Sequence, residues 1–160
     1  MSLWSLRSRR NYDSSVELDP AADYPLGTRR PDLVATPRGR RLDELTLDAL
    51  RAGDIEGEDL RATPRTLRLQ AAVAQAAGRP ELAANLERAA ELALVPADVL
   101  LEIYTALRPR RSSAHALERW AERLETEYEA PLTAAFVREA LAVYAERGLL
   151  ALADEPAPTI

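Results

Sequence analysis

The 160-residue sequence contains no cysteine and a single histidine, His115. It contains no lysine either, because all 21 basic residues are arginine. Without cysteine there is no disulfide framework, no thiolate zinc ligand and no cysteine nucleophile. Without lysine there is no Schiff-base chemistry, and one histidine cannot build a multi-histidine metal site. The 6 glycines are scattered, so no glycine-rich loop is present to cradle a phosphate. No run approaches the roughly 18 consecutive apolar residues that span a bilayer. Valine (7), isoleucine (3) and aromatics (8 in all) are also scarce, and these are the residues that strands prefer. Together the absences argue against a sheet-based domain and against a self-contained enzyme.

Alanine (30) and leucine (26) dominate instead, and both lead the helix-propensity ranking. The length suits one ordinary domain. A formal net charge of −5 and a pI near 5.1 disfavour nucleic acid, whose binding relies on neutralising phosphates. Arginine is clustered at Arg7-Ser8-Arg9-Arg10, Arg38-Gly39-Arg40-Arg41 and Arg108-Pro109-Arg110-Arg111. No aromatic residues interleave with these clusters, so they read as solvated or carboxylate-paired arginines. Near the start, Leu3, Trp4 and Leu6 precede the basic residues, the reverse of a secretory signal. Zero cysteine fits a cytoplasmic location.

The expected architecture is all-α: a small bundle of five or six helices over residues 42–150, an extended and partly disordered N-terminal arm over 1–41, and a frayed tail over 151–160. Pro20, Pro25, Pro31 and Pro37 punctuate the arm and bias their neighbours away from helix. A short helix from Asp43 to Ala52 stops at Gly53. Thr63-Pro64 starts another that ends at Gly78, and Pro80 opens the next. Asp98–Leu107 is apolar on one side through Leu100, Ile103 and Leu107. Ser112 or Ser113 caps a helix with the stripe Leu117, Trp120, Ala121, Leu124 and Tyr128. Pro131 opens the last helix, with Leu132, Ala135, Phe136, Ala140, Val143 and Tyr144 expected to face inward and Gly148 closing it.

The remaining candidates for chemistry read blandly. His115 is a surface histidine with no orienting partner in sequence. Glu87 with Glu91, and Glu118 with Glu122 and Glu125, line helix faces and are expected to be solvated, paired with the interleaved Arg88, Arg119 and Arg123. Tyr104, Trp120, Tyr128, Phe136 and Tyr144 fall on apolar faces and are expected in the core. Alanine-rich helices bury little area per residue, so the core is thin and a partner is expected to complete it.

A set of segments carries a family likeness. They include Asp23-Tyr24-Pro25-Leu26, Thr63-Pro64-Arg65-Thr66-Leu67-Arg68-Leu69-Gln70-Ala71, Asn85-Leu86-Glu87-Arg88-Ala89-Ala90-Glu91-Leu92, Ala106-Leu107-Arg108-Pro109 and Ala134-Ala135-Phe136-Val137-Arg138-Glu139-Ala140. In order and separation, over about residues 23–149, the sequence resembles the small (gamma) subunit of adenosylcobalamin-dependent diol and glycerol dehydratases. The resemblance implies a helical, non-catalytic subunit that packs on a large subunit within a dimer of heterotrimers of large, medium and small subunits. The complex would dehydrate propane-1,2-diol to propionaldehyde, or glycerol to 3-hydroxypropionaldehyde. Adenosylcobalamin would be bound by the partner subunits, so no catalytic, cofactor or metal residue is carried over to this chain. The candidate interface residues are Tyr24 and Pro25 in the arm and Arg108, Arg110 and Arg111 in the arginine knot, with neither nucleic acid nor membrane as partner. The resemblance also raises a bacterial microcompartment as location, with Leu3, Trp4 and Leu6 as the remnant of a recruiting peptide. The competing reading is a stand-alone helical domain that binds protein or RNA through its arginine patches.

Overall fold

Leucine and alanine at three- and four-residue spacing build helices here, and prolines, hydroxyls and glycines set where each begins and ends. The computed structural model describes residues 18–151. Eight α-helices occur among them: α1 (Pro20–Asp23), α2 (Leu26–Arg29), α3 (Leu47–Ala52), α4 (Pro64–Ala76), α5 (Pro80–Leu92), α6 (Ala97–Ala106), α7 (Ala114–Thr126) and α8 (Pro131–Glu146). Short 3-10 turns lie at Pro31–Leu33, Leu42–Glu44 and Gly57–Leu60. The nearest approach to a strand among the described residues is one bridge between Ala35 and Arg41. The all-α class is as expected, and six of the helices follow Leu42.

The punctuation works as the sequence suggests. Thr63 Oγ1 accepts the Thr66 N–H at 3.1 Å, with Pro64 in the first helical position. Ser113 Oγ accepts the Ala116 N–H at 3.3 Å to start α7. Past α4 and α8, Gly78 (φ 71°) and Gly148 (φ 62°) take the left-handed conformation that a side chain would strain.

The described residues form two compact units, one up to Leu86 and one from Glu87, with α5 running across the boundary. In the first unit α1 packs on α4. Its small core joins Ala71 and Ala74 of α4 to Ala83 and Leu86 of α5. In residues 18–41, extended residues at Tyr24, Pro25 and Val34 alternate with single helical turns. This stretch is tied down by Asp59, whose side chain is fully buried. Its carboxylate accepts the Thr36 hydroxyl at 3.0 Å, the Glu56 N–H at 3.1 Å and Arg38 Nη1 at 3.4 Å.

In the second unit α7 packs along α8. Leu117, Ala121 and Leu124 meet Ala130, Ala134 and Val137, with Ile103 of α6 against them. Trp120, Tyr128, Leu141 and Tyr144 pack at the margins of this cluster. Full burial of a leucine or valine side chain contributes about 1.5–3 kcal/mol, so Leu117, Leu124 and Val137 dominate this core.

Three expectations are corrected. First, α8 turns a different face inward. Thr133, Ala134 and Val137 are buried, while Leu132, Phe136 and Val143 are 48, 45 and 39% exposed. Residues 131–146 are apolar almost all round, so spacing does not single out a face. Packing selects the face with the small residues, which lets two helices approach closely. Second, Tyr104 and Phe136 lie outside the core, Tyr104 being 59% exposed. Third, Glu91 is not solvated but buried, and its carboxylate accepts the N–H groups of Leu132 and Thr133 and the Thr133 hydroxyl at 2.8–3.0 Å. Helix α8 starts at Ala130, which has no capping side chain, and Glu91 supplies the cap from α5. Glu118 and Glu125 pair across to Arg138 of α8 at 2.9 and 3.0 Å, rather than with arginines on their own helix. Arg123 pairs with Glu127 and stacks on the Trp120 ring, 4.5 Å from its centroid.

Candidate functional site

Among the described residues, no group of three or more His, Asp or Glu side chains is arranged to hold a metal ion. His115 is exposed in the first turn of α7. Three features of the surface stand out.

The first is a groove of about 930 Å³ in the first unit. Helix α4 forms its floor through Thr66, Gln70, Val73, Ala74 and Ala77, and the segment from Pro20 to Gly27 borders it. Alanine side chains on the floor are too small to fill the space beneath the bordering segment, so an open slot remains. Of the 17 lining residues only Tyr24, Thr66, Gln70 and Arg79 carry polar side-chain atoms. Tyr24 is 60% exposed, and the peptide bond joining it to Pro25 is cis.

The second is the turn Arg108–Arg111 in the other unit. Arg108, Arg110 and Arg111 are all exposed, and none of their guanidinium groups pairs with a described carboxylate. The backbone around them is pinned. Arg110 donates its N–H to the Leu149 carbonyl at 2.7 Å, Ala151 donates to Ser112 at 2.9 Å, and the Tyr144 hydroxyl donates to the Leu107 carbonyl. Arg110 sits at φ 60°, a left-handed conformation costing roughly 1 kcal/mol for a side-chain-bearing residue. Three unpaired charges are thus presented on a fixed turn.

The third is the outer face of α8. Leu132, Phe136 and Val143 share one stripe at helical spacing, and the Arg88 guanidinium lies 5.1 Å from the Phe136 ring centroid. Helix α6 similarly exposes Leu101 (68%) and Tyr104. The stripe escaped the sequence reading, which placed it inward. The signal was nevertheless there: polar residues within α8 are confined to Thr133, Arg138, Glu139 and Glu146, too few to cover a solvent face.

Of the residues singled out from sequence, Tyr24 and Pro25 therefore border the groove of one unit, and the three arginines share the turn of the other. In the same unit as the groove, Asp59 fixes the loop carrying Arg38 and Arg40. Burial pushes its carboxyl up. The Glu56 N–H, the Thr36 hydroxyl and the two arginines outweigh that and hold it below the usual carboxylate range. A corrinoid does not fit these residues. Its fringe of amides calls for many polar partners, the groove offers four, and the one imidazole of the chain lies elsewhere.

Comparison with known proteins identifies the family. Residues 20–151 match the family model described as dehydratase small subunit. The propanediol dehydratase small subunit of Citrobacter freundii is 49% identical over 134 residues, covering 84% of this chain and 78% of that protein. The propanediol dehydratase small subunit of Salmonella typhimurium (strain LT2) is 50% identical over 126 residues, covering 79% of this chain and 73% of its own length. Groove, arginine turn and apolar stripe all fall inside the matched stretch. Matched over residues 20–151 and about half identical to two propanediol dehydratase small subunits, the chain belongs to the dehydratase small-subunit family.

Proposed function

We propose that the chain is the small, non-catalytic subunit of a coenzyme-B12-dependent diol dehydratase that converts propane-1,2-diol to propionaldehyde and water, or glycerol to 3-hydroxypropionaldehyde. Its task in this reading is to stabilise the catalytic large subunit within a dimer of heterotrimers that also contains a medium subunit. One observation carries the structural half: α8 is packed on one face and still presents Leu132, Phe136 and Val143 on another. A helix apolar on two faces is a helix meant to be covered twice. Adenosylcobalamin supplies the radical chemistry when bound, on the partner chains, and protein contributes positioning and exclusion of water. Tyr24, Pro25, Arg108, Arg110 and Arg111 are assigned to the contact with the large subunit. Unpaired guanidinium groups on a pinned turn suit carboxylates of a partner, because little side-chain and backbone ordering remains to be done on binding. The complex is placed in the cytoplasm, with enclosure in a bacterial microcompartment as a further step. The segment assigned to recruitment, Leu3, Trp4 and Leu6, lies outside the described residues.

Co-expression with large and medium dehydratase subunits tests this reading. A complex containing all three chains, forming aldehyde only with added adenosylcobalamin, is the expected result. Recovery of this chain by itself, monodisperse and bound to RNA, would overturn it in favour of a stand-alone interaction domain. Replacing Arg108, Arg110 and Arg111 by glutamate should change the stability of the free chain by no more than about 0.5 kcal/mol per substitution, as exposed positions do. The same replacement should sharply reduce the complex recovered.

A further inference from the structure

We infer that the groove bordered by Tyr24 and Pro25 receives an apolar segment of the large subunit that carries a carboxylate, with Arg79 as its charge partner. This rests on the assignment of the chain as a dehydratase small subunit and names what one of its surfaces binds.

The floor of the groove is a single helical face. Thr66, Gln70, Val73 and Ala77 follow at four-, three- and four-residue steps. At about 1.5 Å per residue they span roughly 16 Å, the length of three helical turns or five extended residues. Large apolar side chains stand at the sides half exposed, with Leu42 and Leu82 each at 38% and Tyr24 at 60%. Such a slot gives affinity through apolar anchors and has too few polar groups to orient a small molecule.

Charge fixes the chemistry of the occupant. Arg79 is the one charged residue lining the groove, it is exposed, and it pairs with no described carboxylate. It stands three residues past Ala76, the last residue of α4, so the partner's carboxylate belongs beside the Ala77 end of the floor. Position in the chain fixes the source. Every lining residue lies between Pro20 and Leu86, inside the stretch matched to the small-subunit family, whereas residues 1–17 lie outside it. An occupant drawn from the family's own complex therefore suits this groove better than the chain's own N-terminal residues do. Those residues also bring three arginines, Arg7, Arg9 and Arg10, toward a groove whose own charge is positive.

The test uses the full chain co-expressed with large and medium subunits. Leu82→Glu places a charge in the slot at a position already exposed, and Arg79→Glu reverses the charge partner. At least about a tenfold loss of complex is expected for the first, and a several-fold loss for the second, largely restored by Arg79→Lys. Helical circular dichroism and the melting temperature of each free variant should match the original chain. A photo-crosslinking amino acid at position 82 should attach to the large subunit next to an Asp or Glu. Undiminished assembly of both charged variants would overturn the inference. So would a crosslink to the medium subunit, to a second copy, or to residues 1–17 of the same chain. If the unaltered chain fails to assemble with the other subunits, the assignment of the chain itself falls. If it assembles and the groove variants do so equally well, only the groove's role falls.

Discussion

At the scale of single residues, two buried carboxylates, Asp59 and Glu91, organise the chain through the groups they accept hydrogen bonds from. Asp59 is held ionised by Thr36, Arg38, Arg40 and a backbone N–H, and Asp32 and Asp43 are lowered by their hydrogen-bonded neighbours Arg30 and Arg41. A carboxyl whose folded value lies below its unfolded value adds stability above roughly pH 4, and that stability is lost as pH falls through the folded value. The melting temperature of Asp59→Asn should therefore lie well below that of the original chain at pH 7, and the gap should narrow at pH 3. Glu91 does different work as the cap of a helix to which it does not belong. Glu91→Ala leaves two N–H groups and a hydroxyl without their charged acceptor, and should cost about 2–3 kcal/mol in denaturant unfolding. Sequence did not reveal either residue. Asp59 meets Thr36 across 23 positions and Glu91 meets Thr133 across 42, and spacing rules see only neighbours along one helix. The missing cap at Ala130 was the one local hint that a distant acceptor existed.

At the scale of elements, starts and stops were readable because their causes are local. Thr63-Pro64, Ser113, Gly78 and Gly148 act through bonds and dihedrals within a turn of where they stand. Faces were readable only on helices with real contrast. On α7 the stripe Leu117, Ala121 and Leu124 is flanked by Glu118, Arg119 and Glu122, and burial follows the pattern. On α8 the contrast is absent and the pattern misled. The two faces of that helix make opposite predictions. Leu124→Ala removes a side chain sealed between α7 and α8 and should destabilise the free chain by about 2–5 kcal/mol. Phe136→Ala removes a side chain already 45% exposed and should cost the free chain about 1 kcal/mol or less, while markedly lowering recovery of the three-chain complex. Equal effects in both assays would show that the stripe is ordinary surface.

At the scale of the whole molecule, stability is unevenly distributed. The second unit has leucine and valine at the centre of its main cluster, whereas the cluster joining α4 to α5 in the first is built from alanines, with Leu26, Leu33 and Ile55 buried apart from it. Hydrogen exchange should be slowest in α7 and α8 and faster through residues 20–61, where short turns replace long helices. The apolar stripe of α8 also matters before any assembly exists. A ribosome releases this chain with Leu132, Phe136 and Val143 facing water, and every copy made beyond the supply of its partners keeps them there. Unmatched copies can hide the stripe only against each other, against a chaperone or in a protease. If partner chains cover this stripe, as proposed, the dosage of the chain is written into one face of one helix, and balanced translation of those partners is as much a condition of its survival as its own fold.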